Sequence, residues 1–197
     1  MTSKRPSLVF ATNNAHKLSE LRRIVGDTID ILSLGDIGCV EDIPENEPTL
    51  KGNALAKARW IHSRYGVDCF ADDTGLEVDA LAGAPGVMSA RYAGPGHDSE
   101  ANMTLLLKNM EGQANRNARF RTVIALILNG MEFTFEGKVE GRIALRPCGV
   151  DGFGYDPIFI PEGDVRTFAQ YSADEKNRIS HRGRATASLI EFLKSKY

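Results

Sequence analysis

Residues 120–135 restrict the fold more tightly than any other stretch of the chain. Phe120 to Leu128 is largely apolar and β-branched, Asn129-Gly130 suits the two positive-φ positions of a type I′ turn, and Met131-Glu132-Phe133-Thr134-Phe135 alternates apolar with polar residues. The pattern predicts an antiparallel hairpin, so the chain contains a sheet with at least one antiparallel pair. The beginning of the sequence adds a different connection. Leu8-Val9-Phe10-Ala11 reads as a buried strand, Thr12-Asn13-Asn14 turns the chain and caps a helix, and Leu18, Leu21, Ile24 and Val25 share one helical face before Gly26 ends it. A strand-to-helix opening combined with a later hairpin predicts α/β architecture with a mixed sheet.

The intervening segments fit that class. A second helix is expected from Pro48-Thr49 to Gly66, with Ala54, Leu55, Ala58, Ile61 and Tyr65 as its inward stripe, and a third from Asp98 to Met110. Cys69-Phe70-Ala71 predicts a strand that resumes at Leu76-Glu77-Val78, and Gly83-Ala84-Pro85-Gly86 predicts an irregular loop. Pro157 to Pro161 reads as one more short strand, and a last helix carries Ala185, Leu189, Ile190, Phe192 and Leu193. No repeat, low-complexity tract or linker interrupts the sequence, and 197 residues predict one domain, residues 1–197, with room for two lobes.

The most informative chemistry lies at Ala71-Asp72-Asp73-Thr74-Gly75, where an apolar strand delivers adjacent carboxylates into an expected turn. Strand exits are where α/β proteins place ligand chemistry, and two neighbouring aspartates suit a hard divalent cation that cancels their repulsion. An ordinary acidic turn has the same composition. Thr12-Asn13-Asn14-Ala15-His16-Lys17 joins the first strand to the first helix, where backbone N–H groups attract phosphate, yet the segment lacks the glycines of a Walker A or dinucleotide motif and also reads as a plain helix cap. In the loop Ile43 to Thr49, Glu45 or Glu47 offers a further oxygen ligand or a solvated charge. Asn53 and Lys57, one turn apart on the expected second helix, could face the same cleft, with an exposed helical lysine as the default reading. Gly152-Phe153-Gly154-Tyr155-Asp156 offers flexible backbone beside aromatic faces, a cradle for a flat heterocycle or a turn with inward-packed rings. Near Glu175-Lys176, the segment Ser180-His181-Arg182-Gly183 is placed just before the last helix, and His181 and Arg182 carry donors suited to a purine carbonyl, although an isolated histidine is more readily structural.

Charge narrows the range of partners. With 24 basic and 26 acidic residues the formal charge is −2, which argues against a nucleic-acid polymer and for a small nucleotide. Cys39, Cys69 and Cys148 lack zinc spacing and are odd in number, which predicts reduced thiols and a cytoplasmic setting. The apolar run after the basic Met1 to Pro6 segment is too short for a signal core or a membrane span. Asn102-Met103-Thr104 matches a glycosylation acceptor in pattern only.

In their order along nearly the whole chain, these segments resemble the non-canonical purine nucleoside triphosphate pyrophosphatases, the inosine/xanthosine triphosphate pyrophosphatase family. The resemblance is carried by Thr12 to Lys17, Ala71 to Leu76, Gly83 to Gly86 with Ser89-Ala90-Arg91-Tyr92, Gly152 to Pro157, and Ser180 to Gly183. It implies a homodimeric α/β enzyme with an elongated mixed sheet flanked by helices, two lobes enclosing a nucleotide cleft, and Mg²⁺-dependent hydrolysis of ITP, dITP and XTP to the monophosphate and pyrophosphate. It also implies roles. Thr12, Asn13, Asn14, Ala15, His16, Lys17 and Lys57 would hold the triphosphate, Glu45 and Asp73 the Mg²⁺, and Asp73 would accept the proton of the attacking water. Phe153 would stack on the base, with Gly154, Tyr155 and Asp156 completing that wall, while Lys176, His181 and Arg182 would reach phosphate or the base edge. Thr74 stands where serine is frequent, and Gly52-Asn53-Ala54 departs from a usual glutamate-asparagine-alanine. The remaining alternatives are a pyrophosphatase for another modified nucleotide and a nucleotide sensor without hydrolysis.

Overall fold

In the computed structural model the described residues are 5–196; Met1 to Lys4 of the basic opening segment lie outside them. The strands are β1 (Ser7–Phe10), β2 (Asp30–Leu32), β3 (Cys69–Val78), β4 (Pro85–Gly86), β5 (Asn117–Leu128), β6 (Met131–Ile143) and β7 (Phe159–Pro161). The helices are α1 (Ala15–Val25), α2 (Leu50–Tyr65), α3 (Ser99–Asn109), α4 (Ala173–Ile179) and α5 (His181–Lys194). The strand order is β2-β1-β3-β5-β6-β7, with β4 on β3 off that path. β1 pairs in parallel with β2 and β3, whereas β3–β4 and β6–β7 are antiparallel, so the sheet is mixed and the fold is α/β as expected. No helix among the described residues is long and apolar enough to cross a membrane.

Two compact units divide the chain. The first comprises the stretch up to Asp73, Val123–Glu136 and the stretch from Gly183 onward; the second comprises Thr74–Thr122 and Gly137–Arg182. In the first, Leu8 and Phe10 of β1, Leu21 of α1, Phe70 of β3, Ile124 of β5 and Leu189 of α5 form one core. Phe10 stacks on Phe70 with centroids 4.7 Å apart. Side chains of this size each contribute about 1.5–3 kcal/mol on burial. In the second, Leu76, Leu106, Val139, Phe159 and Phe168 surround Phe120, whose ring lies 4.7 Å from that of Phe159.

Local signals set the element ends. Asn14 caps α1 by accepting from Lys17 N–H, Thr49 caps α2 by accepting from Gly52 N–H, and Asp98 caps α3 by accepting from Glu100 and Ala101. Gly26 and Gly66 close α1 and α2 with positive φ. Asn129 and Gly130, at φ 51° and 74°, make the expected tight turn between β5 and β6.

Several expectations are corrected. The acid pair lies not in a turn but inside the unbroken β3, where each carboxylate finds a cationic partner from a helix that the turn reading did not supply. The buried stripe of α2 contains Asn53 and Lys57, while Leu55 and Tyr65 are only half-buried. The hairpin extends well past its apolar signal, from Asn117 to Ile143, and Gly83 to Gly86 includes the paired β4. Asp156–Ile158 is a 3₁₀ turn ahead of β7, with Pro157 in its first positions, so only the end of the Pro157 to Pro161 segment is extended. β2 and α4 were not anticipated, and His181 to Gly183 form the start of α5 instead of preceding it. Asn102 is buried, accepting from Ala93 N–H and donating to Ala90 O, which removes it as a glycosylation acceptor.

Gly75 shows why β3 can carry on past the acids. A Cβ there would lie 2.6 Å from Gly86 O of β4, a backbone atom that cannot swing aside. Gly75→Ala is expected to destabilise the fold by about 1–3 kcal/mol through this overlap, read as a lower urea midpoint at unchanged slope.

Candidate active site

Two clusters of buried polar residues gather the candidate positions, one in each unit. The first surrounds the acids of β3. Alternation along a strand turns successive side chains to opposite faces, and the two aspartates have different partners. Asp72 Oδ1 lies 3.0 Å from Lys17 Nζ, and Asp73 Oδ1 lies 3.7 Å from Lys57 Nζ. Lys57 also approaches Glu45 Oε1 at 2.6 Å. Asn53 donates from Nδ2 to Asp73 Oδ2 at 3.0 Å and accepts the Glu47 N–H at 2.9 Å. α2 thus presents an amide and an ammonium, four residues apart, to the same carboxylate. Gly52 belongs to this arrangement, because a Cβ there would meet Glu47 Cβ at 2.8 Å; the departure noted in the sequence leaves room that Glu47 fills.

Burial magnifies the electrostatics. Lys57 is 5% exposed; burial works against its charge, but Asp73, Glu45 and Asp72 outweigh it and hold its pKa above the ordinary lysine value. Asp73 is pushed upward by burial, which exceeds the opposing influence of Lys57, Lys17 and the Asn53 hydrogen bond. Two ammoniums therefore face three carboxylates. Glu45 and Asp73 both converge on the position where Lys57 places its positive charge, and both offer hard oxygen donors. Among the described residues no three His, Cys, Asp or Glu side chains are arranged to hold a metal by themselves. One or two carboxylates, completed by phosphate oxygens and water, is the donor set Mg²⁺ takes, so these residues fit such an ion.

The Thr12 to Lys17 segment leads into α1. Thr12 Oγ1 accepts from Asn14 N–H at 3.1 Å, Asn13 donates to Asp42 at 3.3 Å, and Ala15 and His16 are exposed in the first helical turn. That turn itself contains no carboxylate, although Asp42 and Asp72 lie against Asn13 and Lys17.

The second cluster surrounds Phe153, which is half-buried. Lys176 Nζ lies 5.0 Å and Arg182 Cζ 5.5 Å from its ring centroid. Asp156 is buried, accepting from Lys176 at 2.7 Å and from Phe153 N–H at 2.8 Å, so it fixes both the cation and the loop. Gly152 has φ +76°, and a Cβ there would collide with Asp156 Oδ2. Tyr155 is buried in the core and donates to Ser89 O at 2.8 Å, while Gly154 beside it is half-buried. His181 stacks on Phe120 at 4.5 Å. Arg182, 1% exposed, donates to Thr74 Oγ1 at 3.2 Å, and Thr74 shares a 2.6 Å hydrogen bond with Thr122.

The structure thus brings Lys17, Glu45, Lys57 and Asp73 together, and Thr74, Phe153, Asp156, Lys176 and Arg182 together. Tyr155 belongs to the core of the second unit, and the buried His181 packs against Phe120 of that core. Pairings within the site are not readable from the sequence: Asp72 meets Lys17, Asn53 meets Asp73, and Thr122 meets Thr74. The Asn53 to Lys57 spacing was a usable signal; Thr122, inside an apolar strand, had none.

A mixed α/β sheet that carries paired carboxylates on β3, each met by a lysine from a flanking helix, defines a protein built for anionic, cation-bearing ligands. Residues 8–192 match the model of the Ham1 family, and the chain belongs to that family. A Flavobacterium psychrophilum protein named dITP/XTP pyrophosphatase is 53% identical over 188 residues, covering 95% of this chain and 99% of its own. A Porphyromonas gingivalis protein of the same name is 55% identical over 94% of this chain and 96% of its own. The Staphylococcus aureus Ham1 protein structure superposes with a TM-score of 0.88 at 36% identity, covering 97% of this chain and all of that one.

Proposed function

We propose that this chain hydrolyses non-canonical purine nucleoside triphosphates, dITP, XTP and ITP, to the nucleoside monophosphate and pyrophosphate. The observation that carries the reading is the buried Asp73, held between Lys57 and Asn53 within reach of Glu45, in a chain related over nearly its full length to proteins named for this reaction. The family match running unbroken over residues 8–192 supports treating the two units as one functional domain.

The reaction adds water to the α-phosphorus and breaks its bond to the oxygen bridging the β-phosphorus, so pyrophosphate departs. In this reading Lys17 and Lys57 exchange their carboxylate partners for phosphate oxygens and neutralise charge that grows on the leaving group. Thr12 to His16 contribute the hydroxyl, amide and helix-start N–H groups that hold the phosphate chain. Glu45 and Asp73 would hold Mg²⁺, which when bound supplies Lewis-acid neutralisation of the phosphate oxygens. Asp73 Oδ1 orients and accepts the proton of the attacking water. Phe153 provides the stacking face for the base, and Arg182 and the neighbouring backbone donate to a 6-oxo group. Adenine presents an amino group there and leaves those donors mismatched. Lys176, fixed by Asp156, holds positive charge beside Phe153, and His181, Gly154 and Tyr155 support the loop and helix start that present Phe153 and Arg182. The chain acts in this reading in the cytoplasm, which the free thiols Cys39, Cys69 and Cys148 suit, and as a homodimer.

Product analysis tests the proposal. Purified protein with Mg²⁺ is given ITP, XTP, GTP, ATP and dUTP, and IMP with pyrophosphate is the expected outcome from ITP. IDP with orthophosphate would overturn the reaction, and turnover no faster with ITP or XTP than with GTP would overturn the specificity. Nucleotide binding without turnover would identify a sensor.

A further inference from the structure

We propose that Asn53 is the positioning residue for Asp73: it anchors Oδ2 and thereby dedicates Oδ1 to the reaction. This inference rests on the reading of Asp73 given above. Asn53 is 1% exposed, and both ends of its amide are engaged, Nδ2 toward Asp73 Oδ2 at 3.0 Å and Oδ1 toward the Glu47 N–H at 2.9 Å. The two partners fix the amide's orientation. Flipping it would point an acceptor at a carboxylate and a donor at an N–H.

The neighbouring interactions do not provide the same constraint. Lys57 hydrogen-bonds Glu45 Oε1 at 2.6 Å but lies 3.7 Å from Asp73 Oδ1, so it attracts Asp73 without fixing that carboxylate's rotation. Asn53 is the directional contact. Its second bond holds the backbone of Glu47, two residues beyond Glu45, so one amide sets the loop that carries Glu45 relative to the strand that carries Asp73. The geometry requires a short side chain with one donor and one acceptor. Aspartate retains the acceptor for Glu47 and loses the donor; alanine loses both; glutamine places the amide one methylene too far from a helix whose position is fixed by packing.

The test compares Asn53→Asp and Asn53→Ala with the native chain in three measurements: steady-state kinetics on ITP, Mn²⁺ affinity in the presence of a non-hydrolysable imido analogue of ITP, and thermal melting. Supporting residues of this kind typically alter activity or metal affinity about 10- to 100-fold. Both variants are expected to lose kcat by about 30-fold with KM within about threefold, and to bind Mn²⁺ about tenfold more weakly. Asn53→Asp keeps the side-chain volume and the Glu47 contact but also sets a second carboxylate beside Asp73, so Asn53→Ala, which removes the donor without adding charge, must show the same loss of kcat and Mn²⁺ affinity. Native kcat and Mn²⁺ affinity in Asn53→Asp would overturn the proposal, as would a loss confined to KM or the disappearance of its cooperative melting. If the native protein hydrolyses no nucleotide but Asn53→Asp still weakens Mn²⁺ binding, positioning stands and the pyrophosphatase reading falls.

Discussion

Asp73→Asn is expected to reduce kcat for ITP by about 10³-fold while leaving Mg²⁺–nucleotide binding within about tenfold of native. The amide keeps the shape of the side chain and its place beside Asn53 and Lys57, but it cannot accept the water's proton and is a poor ligand for a hard cation. The same substitution should leave the folded state as stable as the native one or more so. Burial holds the Asp73 carboxyl above the usual aspartate value, so the folded chain retains this proton more tightly than the unfolded chain. Ionising it therefore withdraws stability as pH rises from about 4 through the raised value, and the asparagine variant is spared that loss. Melting temperatures across pH 4 to 8 should converge for the two proteins at the acid end and separate toward neutrality, with the variant higher. Mg²⁺ and nucleotide should close the gap by stabilising only the native chain. A variant that melts far below native at every pH would contradict this account of the site's electrostatics.

Lys57→Met should have the largest effect on the fold. The substitution removes the ammonium shared by Glu45 and Asp73 and leaves the buried Asp73 carboxylate without it, a change that costs about 3–5 kcal/mol when one partner of a buried pair is deleted. Native Lys57 has a raised pKa, so its contribution is fully present below the ordinary lysine value and is lost only as pH climbs through the raised one. The methionine variant should behave in the opposite way, recovering stability in mild acid where the carboxylates take up protons. It should also recover stability on addition of Mg²⁺, because a divalent cation can replace the missing positive charge. Urea unfolding at pH 5 and pH 8, with and without Mg²⁺, measures both effects. Lys51→Met, an exposed position on the same helix, serves as the control and should change stability by no more than about 0.5 kcal/mol. Turnover by Lys57→Met is expected to fall by about 10²-fold even where Mg²⁺ restores the fold, since the lysine's partner in the reaction is phosphate.

How much of this was legible in the sequence depended on the range of the interaction concerned. Asn14, Thr49 and Asp98 were readable as caps, and Gly26, Gly66 and Asn129-Gly130 as stops and turns, because each acts on backbone within four residues of itself. The acid pair misled for the same reason. Asp72 and Asp73 have turn-forming composition, but their partners Lys17, Asn53 and Lys57 are 16 to 55 residues away, and those contacts let the strand run through. Lys57 has the sequence context of a surface lysine and becomes buried only through Glu45 and Asp73. α4 escaped notice although Ser172 and Glu175 form a capping box that is visible in the sequence, because seven residues are too few to show a periodic face. β2, three residues long, offers even less. Of the candidate site, the segments were legible and the pairings within them were not: nothing local says that Thr122 meets Thr74, or that Asp156 belongs to Lys176.

The pleat of β3 has a consequence for how its doubled aspartate should be understood. Side by side in the sequence, the two residues look like copies that could stand in for one another. A strand denies them that interchange, since neighbours look away from each other, one toward a lysine of α1 and the other toward an asparagine and a lysine of α2. The repetition is an accident of spelling. Losing either acid forfeits contacts that its twin is turned the wrong way to make.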